Sequence, residues 1–442
     1  MRLSINGILT LSYLTDAEMA SLKSDNEWIN PEIEIAKKMR RNTWHMPPMI
    51  KVWREDDDKL ILPRGFLSQL LEQCQPDEVA DLRTSSPVEF RPLSVMFREY
   101  QRKVLGKTYQ HDQGVICAPT GAGKTILGMA LIAYRGERTL ILVHSKELQA
   151  QWKKEIKKWM GLEAGVIGSG KWQEGEEITI AMLQTLHKRP ERAPGAMKGY
   201  GLTLVDECHH LPASSFSETI GWTTSKFRYG LTATPHRRDG LHQLIFRSTG
   251  PIIATIEPEQ VEKEGGIVPA VIKRIQTNCS PSCNSWNEYL EYITNDPSRN
   301  QLIADLAEKT APNHPVIILT DRVDHVGAIG DLLMSDNLQI HGSLPAKERR
   351  SRMEAIPDHQ ITIGTTGLLG EGLDVSRWSA LIMATPISSK VRLLQAIGRV
   401  IRPHEGKSKG YVADLVDDHA FSGSSHNKRK AIYAERGFTL TH

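Results

Sequence analysis

The stretch Val115-Ile-Cys-Ala118-Pro-Thr-Gly-Ala-Gly-Lys-Thr125 runs straight into residues 126–134, an apolar segment with helical spacing. Strand, glycine-bearing loop and helix follow one another without a break. Gly121 and Gly123 let the backbone curl so that several N–H groups point inward at phosphate oxygens, and the following helix adds its positive end. Lys124 supplies a mobile positive charge to the β and γ phosphates, and Thr125 offers a hydroxyl to Mg²⁺. Pro119, Thr120 and Ala122 complete the loop. Ala118 stands where such motifs usually carry their first glycine, at a strand end where a small side chain suffices.

Working outward, short β-branched or Leu-rich runs alternate with helical patterns, the signature of parallel-sheet α/β units. Candidate strands are 115–118, 139–143, 178–181, 202–205 and 229–232. A Pro- and Gly-punctuated stretch, 251–269, precedes a second series at 316–319, 339–341, 361–365, 381–384 and 411–414. The pattern predicts an α/β chain with two tandem parallel-sheet domains, 91–255 and 256–425, followed by a tail or helix over 426–442. Residues 1–90 read as a small α+β accessory domain. They hold 11 Lys/Arg against 15 Asp/Glu, hence −4, which leaves +7 for the remainder of a +3 chain. Trp28, Trp44, Trp53 and a basic knot of Lys37, Lys38, Arg40 and Arg41 lie here. The acidic run 55–58 between Ile-Lys-Val-Trp53 and Lys59-Leu-Ile-Leu-Pro63 predicts a β-hairpin.

At 442 residues, with 40% apolar and 24% charged side chains, the chain is long enough for several cores and is neither disordered nor fibrous. Five cysteines, an odd number, argue against a disulfide framework and for a reducing, cytoplasmic compartment. The N-terminus lacks a secretory pattern and no run of 18 uncharged apolar residues follows, so neither secretion nor membrane association is expected.

A hydrolytic phosphate site also needs a carboxylate for the metal and a group that orients water, both at the end of a neighbouring strand. Leu202-Thr-Leu-Val-Asp206-Glu207-Cys-His209-His210 supplies them, Asp206 for Mg²⁺ and Glu207 for the water. A zinc site through Cys208 and the histidines is disfavoured, because adjacent residues point apart and no second ligand cluster is near. Cys279-x-x-x-Cys283 likewise lacks a second pair and reads as loop. The basic segment 147–158 carries Trp152 and Trp159 nearby; a solvated helix with core tryptophans is preferred over a nucleic-acid track.

Taken with Thr232-Ala-Thr234-Pro235 and Gln395-Ala-Ile-Gly398-Arg399-Val-Ile-Arg402-Pro403, these motifs resemble superfamily-two helicases, from about residue 95 to 415. The Asp-Glu-Cys-His form is similar to the group of phage UvsW-type and XPB-type helicases and restriction translocases, not to the DEAD-box RNA helicases. The resemblance implies two RecA-like domains and use of ATP with Mg²⁺. It implies that Gln101, with Arg98 and Tyr100 beside it, recognises adenine, and that Gly372 and Asp374 face the nucleotide. His209, Thr232 and Thr234 would couple hydrolysis to movement. Gln395, Arg399 and Arg402, at i, i+4 and i+7 of a helix, would form the far wall of the ATP site. Ser145, Gln184, Thr185, Gly342, Thr365 and Thr366 would meet the phosphates of a nucleic-acid strand.

The implied activity is an ATP-dependent DNA helicase or translocase that unwinds or branch-migrates DNA in repair, recombination or replication, in a host cytoplasm if phage-encoded. Single-stranded, forked or branched DNA is the expected partner, with replication or recombination proteins beside it. An RNA-remodelling helicase and the motor subunit of a restriction system remain the alternatives. The accessory domain reads equally as a DNA grip, through Lys37, Lys38, Arg40, Arg41 and Arg64, or as a structural cap.

Overall fold

The computed structural model describes residues 1–38, 42–208, 213–233, 241–370 and 375–441. It divides into two compact units, one of residues 1–119 and 123–257, the other of 258–442 with loop residues 120–122.

The first unit is built on an eight-stranded sheet in the order Lys171–Gln173, Gly165–Gly168, Ile178–Met182, Thr139–Val143, Leu202–Asp206, Phe227–Thr232, Gln113–Cys117, Ile252–Thr255. Every pairing is parallel except the first. Strands of such a sheet are covered on both faces, which is why they read as continuous aliphatic runs. All five residues of Thr139–Val143 and of Leu202–Asp206 are buried. Because the strands run the same way, Cys117, Val143, Met182, Asp206 and Thr232 all finish at one edge, where ligands of open α/β sheets bind.

The second unit carries a seven-stranded sheet, Asn337–Ile340, Ile361–Thr365, Val316–Thr320, Ala380–Met383, Gly410–Val416, Ala270–Gln276, Thr439–Thr441, parallel throughout. These are two RecA-like α/β domains. The residues after 425 are not an exposed tail: Ala420–Glu435 is a helix and Thr439–Thr441 is an edge strand. From sequence the run Lys428-Arg429-Lys430 reads as an exposed tail or, less readily, as a DNA contact; within the helix Arg429 is instead fully buried and donates to Asp414 at 2.6 and 3.1 Å, which corrects that expectation for Arg429. The guanidinium neutralises a strand carboxylate that could not otherwise be buried. Among the described residues no helix is long and apolar enough to cross a membrane.

Residues 1–81 form a five-stranded sheet, Arg54–Asp56, Lys59–Pro63, Ile8–Ser12, Arg2–Ile5, Glu78–Asp81, with a separate pair Glu27–Ile29 and Met49–Lys51. The hairpin exists, but its first strand is Arg54–Asp56 rather than 50–53. The acidic run serves both as strand and as a two-residue turn, with Asp57 in the left-handed region at φ 51° that such tight turns require. Ile50 pairs with Trp28 instead.

This small sheet is locked onto the base of the larger one. Arg64 is 1% exposed. Its guanidinium donates to Gln113 Oε1 at 2.9 Å, to the Lys226 carbonyl at 2.5 Å and to the Ser225 carbonyl. In return Arg228 donates to the Gly7 carbonyl at 3.2 Å. Arg64 is therefore no DNA contact. It is held among backbone oxygens at the amino ends of the Gln113–Cys117 and Phe227–Thr232 strands.

Arg64→Ala should unfold the first unit at lower denaturant as one transition. Leaving Gln113 and two carbonyls without donors costs about 3 kcal/mol. A separate, earlier transition for residues 1–90 in guanidinium titration would contradict a shared core.

In the second unit the ring of His325 is buried between Thr320 Oγ1 and Asn300 Oδ1, both at 2.8 Å. The carbonyl oxygen can only accept, so Nε2 carries the proton and Nδ1 accepts from the threonine. Burial, then the Arg299 charge, pushes His325 down to about 3. The unfolded histidine binds a proton below its ordinary pKa of about 6.5 and the folded one does not, so stability contributed by neutral His325 falls as pH drops from there towards 3. His325→Asn should flatten the pH dependence of the urea midpoint over that window.

Candidate nucleotide site

The phosphate loop leaves the Gln113–Cys117 strand and enters the helix Lys124–Arg135 at Gly123. Gly121 and Gly123 have φ of 86° and 82°, the left-handed conformation that glycine adopts without steric cost. A Cβ on Gly123 would stand 2.7 Å from Gln101 Nε2, so the amide expected to read adenine does lie against the loop. Gln101 is buried, and its Oε1 accepts from the Arg98 backbone at 3.0 Å in a box that opens the helix Glu99–Thr108. The Arg98 guanidinium donates to Tyr100 at 3.2 Å.

Lys124 and Glu207 meet at 3.1 Å, each with only 14% of its side chain exposed. Lys124 also approaches the Ala118 carbonyl at 3.5 Å. Asp206 ends its strand buried and accepts two N–H groups: the Glu207 backbone on Oδ1 at 3.0 Å, and the indole of Trp152 on Oδ2 at 2.8 Å. Burial, followed by the adjacent Glu207 charge, raises Asp206 to about 6, against the opposing pull of Lys124 and the two donors. Glu207 itself sits at φ 48°, a left-handed backbone in a non-glycine residue. Such strain persists where the surroundings over-determine it, as at functional sites.

The Thr232 carbonyl accepts from the Ala118 amide at 2.8 Å, which ties the end of the Phe227–Thr232 strand to the first residue of the loop. Ser145 caps the helix Lys146–Met160 by accepting from Leu148 at 3.2 Å, and Gln184 donates to the neighbouring His144 carbonyl at 2.8 Å. Ser145, Gln184 and Thr185 thus stand together at the edge where the paired Thr139–Val143 and Ile178–Met182 strands end.

In the second unit Gly342 follows the end of the Asn337–Ile340 strand and Thr365 is the last residue of the Ile361–Thr365 strand beside it. Thr366 is buried and its hydroxyl donates to the Thr320 carbonyl at 3.2 Å, so Thr365 is the member of the pair with a partly exposed side chain. Arg399 is buried and donates to the Gly370 carbonyl at 3.0 and 3.3 Å. The helix carrying Gln395 and Arg399 is Lys390–Val400, so Arg402 lies beyond it and the i+7 register is corrected. Pro403 disfavours helical backbone at the residue before it, which ends the helix early. His209, Thr234, Gly372 and Asp374 lie outside the described residues, as do Arg40 and Arg41.

Thr125, in the first helical turn, and Asp206 offer a hydroxyl and a carboxylate, hard oxygen donors of the kind Mg²⁺ takes. Cys208 is enclosed in the apolar core with its thiol pushed up by burial. The residue that sequence reasoning did not connect to this site is Trp152. It was legible as core, but nothing in a separation of 54 positions announces its bond to Asp206.

Residues 94–237 match the family described as "Type III restriction enzyme, res subunit", and residues 298–404 match "Helicase conserved C-terminal domain". The chain is 34% identical over 355 residues to the DNA 3'-5' translocase XPB2 of Sulfurisphaera tokodaii, spanning 70% of this chain and 79% of the relative. It is 27% identical over 381 residues to the probable helicase D10 of Escherichia phage T5, covering 82% and 81% respectively. Its fold matches a fragment of a putative HsdR subunit of a type I restriction enzyme from Vibrio vulnificus YJ016, with a TM-score of 0.60 and 19% identity, over 79% of this chain and 68% of that one.

Proposed function

Since this chain belongs to the superfamily-two helicases, we propose that it is a DNA motor that unwinds or branch-migrates forked and branched DNA during repair, recombination or replication. It is an ATP-dependent helicase, and its substrate is nucleic acid. The observation that carries the ATP-hydrolysing part of this reading is the Lys124–Glu207 contact beside buried Asp206, at the mouth of a glycine-bearing loop, and the DNA part is supported by the name of the 34% identical relative.

In that arrangement the loop amides and Lys124 hold the phosphates, and Gln101 with Arg98 holds the base. Bound triphosphate competes with Glu207 for Lys124, which releases the carboxylate to accept a proton from the attacking water. Thr125 and Asp206 would hold Mg²⁺, which when bound neutralises charge on the β and γ phosphates. The Thr232–Ala118 backbone link carries a change in the loop to the neighbouring strand end. Gln395, Arg399 and Arg402 supply the second unit's part, Arg399 and Arg402 by stabilising charge on the γ-phosphate. His209, Thr234, Gly372 and Asp374 keep the coupling and nucleotide-facing roles read from their motifs.

Ser145, Gln184 and Thr185 in one unit, and Gly342, Thr365 and the backbone of Thr366 in the other, meet phosphates of the tracked strand. Such contacts ignore sequence and weaken with salt. The name of the 34% identical relative supports 3'-to-5' movement on DNA. Residues 1–90 act as a structural part of the first unit, since Arg64 is spent on packing. The motor would work in the cytoplasm, of a host if phage-encoded, beside replication or recombination proteins.

Lys124→Ala should lose both ATP binding and turnover. Glu207→Gln should keep ATP binding, followed with a fluorescent analogue, while turnover falls by roughly 10²- to 10⁴-fold. Arg402→Ala should reduce kcat far more than nucleotide affinity. The deciding measurement is ATPase stimulation by single-stranded, duplex, forked and four-way-junction DNA and by RNA. Preference for forks or junctions supports the reading; stimulation by RNA alone overturns it.

A further inference from the structure

We infer that Trp152 is a positioning residue for Asp206, fixing the orientation in which that carboxylate meets the nucleotide's divalent cation. The inference rests on the assignment of Asp206 to the metal.

Trp152 lies midway along Lys146–Met160, a helix with a basic outer face that by itself reads as shell. The indole is fully buried, and its N–H donates to Asp206 Oδ2 at 2.8 Å across the sheet-covering layer. A buried indole N–H requires an acceptor, and a buried carboxylate requires donors. Each supplies the other. With the Glu207 amide on Oδ1 at 3.0 Å, both Asp206 oxygens are held, so rotation about the terminal carboxylate bond is blocked. Each oxygen keeps a further lone pair for a metal-bound water, because an ionised carboxylate offers about four acceptor sites.

The phosphate-loop helix is shaped to allow this contact. A Cβ on Gly128 would stand 2.6 Å from Trp152 Cη2 and 3.0 Å from Leu204 Cδ2. Glycine inside a helix is unfavourable relative to alanine, yet here it opens the notch through which the indole reaches Asp206. The same ring therefore registers three pieces: the helix after the phosphate loop, the strand bearing Asp206 and the helix beginning at Ser145. From Ser145 to Trp152 is seven residues of one rigid helix, about 10 Å of rise. An end expected to touch nucleic acid is thus joined to the carboxylate by a single side chain. Any buried tryptophan needs an acceptor; here the acceptor is the strand-end carboxylate itself, and a glycine notch clears the way to it.

The test is Trp152→Phe, which keeps an aromatic ring and removes the donor. Binding of mant-ATP in EDTA should stay within about twofold of the parent, whereas the Mn²⁺ concentration that half-saturates the nucleotide complex, read by electron paramagnetic resonance, should rise roughly ten- to a hundredfold, the usual effect of losing a partner of a metal ligand. Should the Phe variant fail to fold, Gly128→Ala reports instead. Its methyl displaces the indole without deleting the N–H, and should raise the Mn²⁺ midpoint in the same direction. An unchanged midpoint in a folded variant of either kind overturns the proposal. Asp206→Asn separates this from failure of the underlying assignment: if Asn at 206 leaves the Mn²⁺ midpoint unmoved, Asp206 is not the metal carboxylate and the positioning role falls with it.

Discussion

Burying a carboxylate at the end of a fully buried strand, with a second carboxylate beside it, is the constraint around which the first unit is arranged. Neither charge could be taken out of water unaided. Asp206 is held by an indole and a backbone amide, while Glu207 leans on Lys124. These partners come from three separate elements, so the parallel sheet and its covering helices must be in register before the pair is tolerable. Conversely, a site that satisfies its charges this narrowly responds to any ligand that competes for Lys124. In the proposed function the phosphates of a nucleotide are such a ligand, so that stability and chemistry would draw on the same contacts.

The second unit solves a similar problem without exposing it to a ligand. Arg299 is buried and donates to Asp417 Oδ1 at 2.8 Å and to the Ala384 carbonyl at 2.7 Å. Asp417 also accepts from Thr277 at 2.6 Å and from Tyr289 at 2.5 Å. The Asp414–Arg429 pair repeats the device three residues earlier on the chain. Such buried ion pairs are weak evidence of net stability, but each one strongly disfavours any packing in which a partner is missing. They specify how the C-terminal helix and the helix Pro297–Thr310 seat on the sheet, which apolar packing alone would leave less determined.

What could be read from the sequence was whatever depends on neighbours along the chain. The Thr139–Val143 and Ile361–Thr365 strands coincide with the predicted runs because strands covered on both faces are built from aliphatic and β-branched or small residues that bury well. The phosphate loop and the Asp206–Glu207 pair were legible because their chemistry is packed into a few consecutive residues. Contacts between remote segments were not. Arg64 in a Pro-Arg-Gly-Phe run looks like a surface cation, and only the fold brings Gln113, Ser225 and Lys226 around it. Arg429 between two lysines misled for the same reason. Asp414 lies 15 positions away on a strand, and a run of like charges ordinarily means solvent.

Glycines mark several of those remote contacts once the fold is known. A Cβ at Gly7 would lie 2.1 Å from the Gly221 carbonyl oxygen, and one at Gly65 would lie 2.1 Å from that of Phe246. Gly128 makes the third such opening, towards Trp152. In a sequence a glycine reports only that a side chain is absent. What fills the space is decided by residues far along the chain. At Gly7 and Gly65 it is the backbone at the ends of the helices Ala213–Gly221 and His242–Thr249, so the small N-terminal sheet approaches those helices at main-chain distance, closer than surfaces carrying side chains can pack. A segment fitted that tightly cannot turn independently of the helices it is seated on. The accessory residues are therefore part of the same packed body as the larger sheet, which is why both fall within one compact unit.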